Sequence, residues 1–366
     1  MNKSGSEILL NPGPVNLSQR VREALSGKDV CHRELEFAEL VQHINKRLGE
    51  VYSGLSSCNY RSVLLTASGT GAVEAMLTTF IPKDSTTLVV DNGVYGARMK
   101  RILKASNRNY KILKFDWEKP IDVDLIDKKL SECQEIENLV LVHHETTTGR
   151  LNPLVEIGKV CKDHNVRIFL DAVSSFGAEK ILGEEINLAA LAATANKCLH
   201  GAPGISFVMA HPDVWSNTLT EPSTVYFNLF DYFQAQYADG FSPFTPATHV
   251  AFAFKVALDE FFDSGGWHQR NRLFDSRAKR IAGSLLELGV KTLLPTADYS
   301  SVLHSYLLPT GVSYAALHDF LKTNGFVIYQ GQGNLSETIF RISTMGEITE
   351  EKISLLCTLF NEFFGP

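Results

Sequence analysis

The chain has 366 residues, of which 44% are apolar and 21% are charged. These values are ordinary for a globular protein and exclude collagen-like and intrinsically disordered chains. Acidic residues outnumber basic ones by 41 to 35, and no run of Lys and Arg reaches five, so we expect no nucleic-acid partner. No apolar stretch is long enough to cross a membrane, so we expect no membrane partner. The six cysteines form no CxxC pair and the first residues lack the apolar core of a signal peptide, which together favour a cytoplasmic protein.

Strand-like and helix-like segments alternate through the first two thirds of the chain. Short apolar runs bounded by polar residues predict strands at 63–65, 88–91, 139–142, 166–170 and 205–210. Helical spacing places apolar residues on one face of a helix at Ala72, Ala75, Met76, Thr79 and Phe80. This alternation indicates an α/β protein with a mostly parallel sheet covered by helices. In such sheets, ligands bind beyond the carboxyl ends of the strands.

The pattern changes after about residue 255. Helices are predicted at 256–262, 272–288, 313–324 and 349–364, and strands at 302–308, 327–329 and 339–342. We interpret this part as a smaller α+β domain with a short sheet. The expected organisation is an N-terminal arm (1–20), a large domain (21–257) and a small C-terminal domain (258–366).

The segment Ser68-Gly69-Thr70-Gly71-Ala72 follows a predicted strand and opens a predicted helix. Small residues let backbone N–H groups approach an anion, and the helix dipole favours a phosphate there. A tight turn without a ligand is an equally good interpretation of this segment alone. The segment is neither a dinucleotide-binding GxGxxG motif nor a Walker A loop.

Asp171 and Lys197 are the two residues whose position most suggests chemistry. Asp171 ends a buried strand, where a carboxylate is either paired or serves as a helix cap. Lys197 follows the apolar run 188–195, and burial there would lower its pKa and free its amine as a nucleophile. Pyridoxal phosphate requires such a lysine for its aldehyde and a carboxylate for its ring nitrogen. Tyr95, after another strand, is well placed to supply an aromatic ring for the cofactor's face, with ordinary packing in a turn as the alternative interpretation.

The order of the motifs resembles that of the class V aminotransferases, which are fold-type I pyridoxal phosphate enzymes, over nearly the whole chain. Within that class it resembles the 2-aminoethylphosphonate–pyruvate transaminases in particular. The segments that carry this resemblance are Asn11-Pro12-Gly13-Pro14, Ser68 to Ala75, Asn92 to Met99, His143-His144-Glu145-Thr146-Thr147-Thr148-Gly149, Asp171 to Gly177, Ala195-Asn196-Lys197-Cys198 and Phe340-Arg341-Ile342.

The resemblance implies a role for each matching residue. Lys197 would bind the cofactor and move the substrate proton, and Asp171 would pair with the pyridine nitrogen. Arg341 would bind the substrate's anionic group. Thr245 would reach the phosphate in a neighbouring subunit, which implies a homodimer with shared active sites. The other cofactor contacts that it implies are Ser68, Gly69, Thr70 and Asn196 at the phosphate, Tyr95 and Val173 on the two ring faces, and Thr147 near the O3′ side.

The expected reaction moves the amino group of 2-aminoethylphosphonate to pyruvate, giving phosphonoacetaldehyde and alanine. Alanine or serine transamination with glyoxylate or pyruvate, or the use of another phosphonate, remains open, as does a non-catalytic protein that kept the fold. His143 and His144 are adjacent and would face opposite sides of a strand, so we expect no metal site. If the Tyr- and Phe-rich segment 215–241 lines the site's entrance, it affects the choice of substrate.

Overall fold

The computed structural model describes residues 7–183, 185–216 and 222–365. Residues 1–6 of the expected arm and 217–221 of the aromatic segment lie outside this range. The strands are β1 Ile8–Leu9, β2 Arg61–Thr66, β3 Thr86–Asp91, β4 Asn109–Lys114, β5 Ile136–Val142, β6 His144–Glu145, β7 Arg150–Leu151, β8 Arg167–Asp171, β9 Leu188–Thr194, β10 Ile205–Ala210, β11 Leu303–Leu307, β12 Phe326–Val327, β13 Tyr329–Gln330 and β14 Ile339–Ser343.

Helices separate most of these strands. The α-helices are α1 Gln19–Leu25, α2 Leu35–Gly49, α3 Ser53–Ser57, α4 Gly69–Phe80, α5 Val94–Ala105, α6 Val123–Glu132, α7 Leu154–Asp163, α8 Pro212–Ser216, α9 Leu229–Ala238, α10 Thr248–Asp263, α11 Gly266–Glu287, α12 Tyr314–Thr323 and α13 Glu350–Phe364. Short 3₁₀ turns occur at Thr296–Asp298 and Gly333–Leu335. None of the helices in the described part of the chain is long and apolar enough to cross a membrane.

A seven-stranded sheet forms the centre of the molecule, in the order β2-β10-β9-β8-β5-β3-β4. All neighbouring pairs are parallel except those of β10, which runs antiparallel to both β2 and β9. The carboxyl ends of the six other strands therefore meet at one edge of the sheet. The predicted α/β class with a mostly parallel sheet is confirmed.

Helices cover both faces of this sheet because alternate strand residues point to opposite sides. In β3, Leu88 and Val90 pack into a cluster with α2, α7 and α10, whereas Val89 packs into a second cluster with α4 and α5. Both clusters are apolar, which explains why the strands appear in the sequence as continuous apolar runs instead of alternating patterns.

The C-terminal part forms a third core around the short antiparallel sheet β11-β14-β13. The strand predicted at 327–329 is divided in two here. β12 pairs with β1 from the N-terminus, whereas β13 pairs with β14, and the buried Ile328 lies between them. The residues of this run thus have two different pairing partners, which their apolar character alone does not reveal.

The predicted boundary between residues 257 and 258 falls inside α10. Ala257 and Leu258 both pack into the same cluster against the large sheet. The packing partner changes instead along α11, where Phe274 belongs to a small separate cluster and Ile281 belongs to the C-terminal core. The division into domains stays a prediction.

Candidate active site

A cavity of about 340 Å³ lies at the carboxyl edge of the large sheet. Its walls come from turns that follow β2, β3, β8 and β9. The residues that line it are Ser68, Gly69, Thr70, Val73, Tyr95, Arg98, Met99, Asp171, Val173, Thr194, Asn196, Lys197, Pro203 and Gly204. The structure therefore brings together eight residues from the predicted site.

The N-terminus of α4 forms one side of this cavity. Ser68 caps the helix, and its Oγ accepts a hydrogen bond of 3.4 Å from the Gly71 amide. A Cβ on Gly69 would lie 2.6 Å from Cγ1 of Val173, so only glycine lets the first turn pack this closely against the turn after β8. The open amides and hydroxyls at this helix end are suited to bind a phosphate.

Asp171 ends β8 at the floor of the cavity with 8% of its surface exposed. Its Oδ1 accepts a hydrogen bond of 3.0 Å from the Val173 amide. Burial raises the pKa of Asp171 to about 6, although the Val173 amide and the charges of Arg98 and Lys197 act in the opposite direction. A positively charged partner in the cavity would restore the ionised carboxylate.

Lys197 follows β9, the strand that pairs with β8, so Asp171 and Lys197 lie at the ends of two adjacent strands. Its Nζ donates a hydrogen bond to the carbonyl of Pro12, which reaches the site from the N-terminal arm. Burial lowers the pKa of Lys197 to about 8. About a tenth of the amine is therefore unprotonated and nucleophilic at pH 7, far more than for an ordinary exposed lysine.

Tyr95 lies in the first turn of α5 and extends into the cavity beside Arg98. The guanidinium carbon of Arg98 is 4.6 Å from the centre of the Tyr95 ring, and its Nη1 donates to Thr70 Oγ1 at 3.0 Å. The sequence reasoning did not assign Arg98 a role. The sequence did contain a signal that Arg98 belongs to the site, because it follows Tyr95 by three residues and residues at that spacing share a helix face.

Three other predicted cofactor contacts differ in their position relative to the cavity. Asn196 lines the cavity and accepts a hydrogen bond of 2.7 Å from Thr194 Oγ1. Thr147 is fully buried and is not among the residues that line the cavity, and its hydroxyl bonds to Glu145 Oε1 at 2.6 Å. Thr245 is exposed and lies outside the cavity of its own chain. The cofactor contacts of all three stay predictions.

Arg341 lies on β14, and its side chain is fully buried. It donates to the carbonyls of Thr146 and Gln330 at 2.7 and 2.8 Å and to the side-chain oxygen of Gln332 at 3.3 Å. All of these acceptors are neutral, and burial lowers the pKa of the guanidinium. Arg341 does not line the cavity itself, but it interacts electrostatically with both Tyr95 and Lys197.

These residues fit pyridoxal phosphate. The cavity combines a helix N-terminus that is open to an anion, a buried carboxylate, an aromatic ring and a lysine amine with a lowered pKa. Their types and positions match what the cofactor's phosphate, ring nitrogen, ring face and aldehyde require. Within the described ranges, no group of three or more His, Cys, Asp or Glu side chains is placed to hold a metal ion.

The sequence profile of the family described as "Aminotransferase class-V" matches residues 22–356. The chain belongs to this family and is therefore a pyridoxal phosphate-dependent aminotransferase of fold type I. Its fold is similar to that of an aspartate aminotransferase from Thermus thermophilus, with a TM-score of 0.89 and 25% identity over 98% of this chain and 99% of that one.

Relatives with closer sequence similarity have more specific names. A protein from Bacteroides fragilis (strain YCH46) named 2-aminoethylphosphonate–pyruvate transaminase is 34% identical over 97% of this chain and 98% of its own length. A bifunctional phosphonoacetaldehyde hydrolase/aminoethylphosphonate transaminase from Clostridioides difficile (strain 630) is also 34% identical over 98% of this chain. The chain spans only 56% of that bifunctional protein.

Proposed function

We propose that this enzyme transfers the amino group of 2-aminoethylphosphonate to pyruvate, giving phosphonoacetaldehyde and alanine. The observation that carries this proposal is the buried guanidinium of Arg341, whose hydrogen bonds within the described part of the chain all go to neutral oxygens and which interacts electrostatically with Lys197. The charge of Glu145 also acts on this guanidinium, but from beyond ion-pairing distance, so the buried cation can still attract an anionic substrate group. The names of the relatives indicate that this group is a phosphonate in one half reaction and a carboxylate in the other.

Lys197 and Asp171 are the proposed catalytic residues. When bound, pyridoxal phosphate supplies the aldehyde that receives the amino group and a ring that withdraws electrons from the substrate carbon. The Nζ of Lys197 holds the cofactor and then moves a proton to and from the reacting carbon. The carboxylate of Asp171 holds a proton on the ring nitrogen, because a buried anion stabilises a cation beside it.

The remaining cavity residues position the cofactor. The N-terminus of α4, with Ser68, Gly69 and Thr70, binds the phosphate through its amides and hydroxyls. Tyr95 and Val173 enclose the ring, and the proposed contacts at its periphery are Asn196 at the phosphate and Thr147 near O3′. These contacts orient the reacting carbon and exclude water from it.

Arg341 binds both substrates in turn. A guanidinium group presents two parallel donors to a carboxylate and can bind a phosphonate oxygen pair in the same way. Because the same cation serves both half reactions, a single site accepts an aminophosphonate and a 2-oxo acid without changing its charge.

We also propose that the enzyme is a cytoplasmic homodimer. Thr245 is exposed and does not line the cavity of its own subunit, which suits a residue that completes the phosphate site of a neighbouring subunit. The proposed domain division remains an arm (1–20), a large domain (21–257) and a small C-terminal domain (258–366), although the packing partner changes along α11. Thr245→Ala should weaken cofactor retention severalfold, and sedimentation of the wild type should give a dimer.

The decisive experiment is a donor screen with cofactor-loaded enzyme. With pyruvate as acceptor, 2-aminoethylphosphonate should form alanine far faster than serine does. Two further assays test the remaining alternatives. One uses alanine as donor with glyoxylate as acceptor, and the other uses other aminophosphonates as donors. Turnover of alanine or serine without turnover of 2-aminoethylphosphonate would refute the substrate assignment while leaving the transaminase class intact. Absence of cofactor binding by the purified protein would refute both.

A further inference from the structure

Glu145 is a buried carboxylate that the mechanism above does not use. It lies at the end of β6 and has no exposed surface. Its Oε2 accepts hydrogen bonds from the amides of Tyr95 and Gly96 at 3.2 and 3.4 Å. Its Oε1 accepts from the amide and the hydroxyl of Thr147 at 3.1 and 2.6 Å. Among the described residues, no Lys or Arg lies within ion-pairing distance of it.

The donors that Glu145 receives are the free amides at the start of α5. The first turn of a helix leaves its N–H groups without partners inside the helix, and a side chain at the N-cap usually accepts from them. Here the N-cap residue is Gly93, which has no side chain. Glu145 accepts from the second and third amides of the helix, and Thr147 Oγ1 accepts from the first, that of Val94, at 3.1 Å.

The position of Glu145 also explains the glycine at the N-cap. The φ angle of Gly93 is 174°, an extended conformation that any residue can adopt. A Cβ on Gly93 would, however, lie only 2.3 Å from Cδ of Glu145. The carboxylate therefore fills the space that an ordinary N-cap side chain would occupy, and it does so from a strand about fifty residues further along the chain.

The segment of Glu145 also contacts the substrate arginine. The carbonyl of Thr146, the next residue, accepts a hydrogen bond of 2.7 Å from Arg341 Nη1. One short segment thus contacts the helix that carries Tyr95 on one side and the guanidinium that would bind the substrate on the other.

We propose that Glu145 is a positioning residue that fixes the start of α5, and with it Tyr95, against the cofactor cavity. The inference rests on the cofactor site of the proposed function. Without this carboxylate, the first turn of α5 would lose acceptors for two buried amides. The Tyr95 ring would then lose its fixed position, and the cofactor would bind more weakly.

The structure suggests a swap experiment. Glu145→Ala removes the remote cap, and Gly93→Asp places a carboxylate at the ordinary N-cap position, where it can accept from the same two amides. Glu145→Ala alone should weaken pyridoxal phosphate binding roughly tenfold, which corresponds to the loss of a good N-cap. Gly93→Asp alone should also weaken it, because the new side chain collides with Glu145. The double variant should recover most of the lost affinity.

Absorbance titration of the purified apo-protein with pyridoxal phosphate gives the dissociation constant of each variant. A double variant that binds no better than Glu145→Ala would overturn the proposal, as would a Glu145→Ala variant that binds like the wild type. If Glu145→Ala does not fold, Glu145→Gln tests the same cap, because both carboxylate oxygens of Glu145 accept hydrogen bonds and an amide offers only one acceptor oxygen. It should weaken binding severalfold, and wild-type affinity in it would count equally against the proposal.

A double-mutant cycle of Glu145 and Tyr95 distinguishes a positioning role of Glu145 from a general contribution to protein stability. If Glu145 acts through Tyr95, then Glu145→Ala should weaken cofactor binding much less in a Tyr95→Ala background than in the wild type. Equal weakening in both backgrounds would contradict action through Tyr95. These measurements do not depend on the amino donor. Failure of the wild type to bind the cofactor would refute the proposed function, whereas normal binding by the variants would refute only the role of Glu145.

Discussion

Lys197 and Arg341 are both withdrawn from solvent in the same part of the molecule, yet their environments suit opposite tasks. Lys197 donates to a single carbonyl, that of Pro12, and burial lowers its pKa to about 8. Arg341 is held by several neutral oxygens, and its guanidinium stays charged even though burial lowers its pKa.

The difference follows from the chemistry of the two side chains. An ammonium group that loses its hydration can release its proton and become a nucleophile, whereas a guanidinium group remains charged at any physiological pH. Burial therefore suits the lysine to its proposed covalent role and the arginine to its proposed role of binding an anion. The same physical cause would serve a covalent contact in one place and an electrostatic contact in the other.

The largest effect that tests this comparison is expected for Lys197→Ala. Without the amine, turnover should fall by about 10³-fold or more, because both the cofactor's anchor and the proton carrier are lost. A steady-state transaminase assay measures this, with circular dichroism to verify the fold and Lys162→Ala, an exposed lysine on α7, as the matched control. Near-normal turnover in Lys197→Ala would remove the basis of the assignment.

The next largest effect is expected for Asp171→Asn. Loss of a buried charge at the ring nitrogen should lower kcat by about 10²-fold. Because the charge of Asp171 raises the pKa of Lys197, the variant's amine should also titrate at a lower pH than in the wild type. Steady-state kinetics and the pH dependence of cofactor capture measure the two effects. An unchanged kcat would show that the carboxylate does not serve the ring.

Arg341→Lys tests whether the two parallel donors of the guanidinium group, and not only its charge, bind the substrates. The KM for both 2-aminoethylphosphonate and pyruvate should rise roughly tenfold to hundredfold, as expected when charge-assisted hydrogen bonds are lost. Arg22→Ala, an exposed arginine on α1, is the control. If KM rises for only one substrate, the two half reactions use different anion sites.

The smallest predicted effect is the pH dependence of cofactor capture. The lowered pKa of Lys197 means that its amine is mostly protonated below about pH 8 and mostly neutral above it. The rate at which apo-protein binds pyridoxal phosphate covalently should therefore rise about tenfold between pH 7 and pH 9 and then level off. Stopped-flow absorbance measures this rate. A continued rise towards pH 10.5 would show that the lysine is not desolvated.

Much of the fold was predictable because its strands are buried on both faces. Continuous apolar runs such as 88–91 and 139–142 indicated a parallel sheet. The division of 327–329 between two sheets and the packing of Ala257 and Leu258 against the large sheet were not predictable. Both depend on partners that are distant in sequence, and the local pattern carries no information about them.

The site shows the same limit. Asp171 and Lys197 could be paired because each follows a strand, and motif resemblance supplied the phosphate residues. Glu145 lay inside a segment that was used only for recognition, and its role depends on contacts with α5 that lie about fifty residues away. Gly93, an N-cap residue with no side chain to accept from the first amides of α5, was the signal in the sequence that could have led to it.

The contact between Pro12 and Lys197 has a consequence for how the protein matures. The arm that carries Pro12 is anchored by the pairing of Ile8 and Leu9 with Phe326 and Val327. During synthesis on the ribosome, this anchor does not exist until those late residues have emerged. The contact between Pro12 and Lys197 would therefore be secured only after residues 326 and 327 have been made, late in the order of synthesis of the described residues.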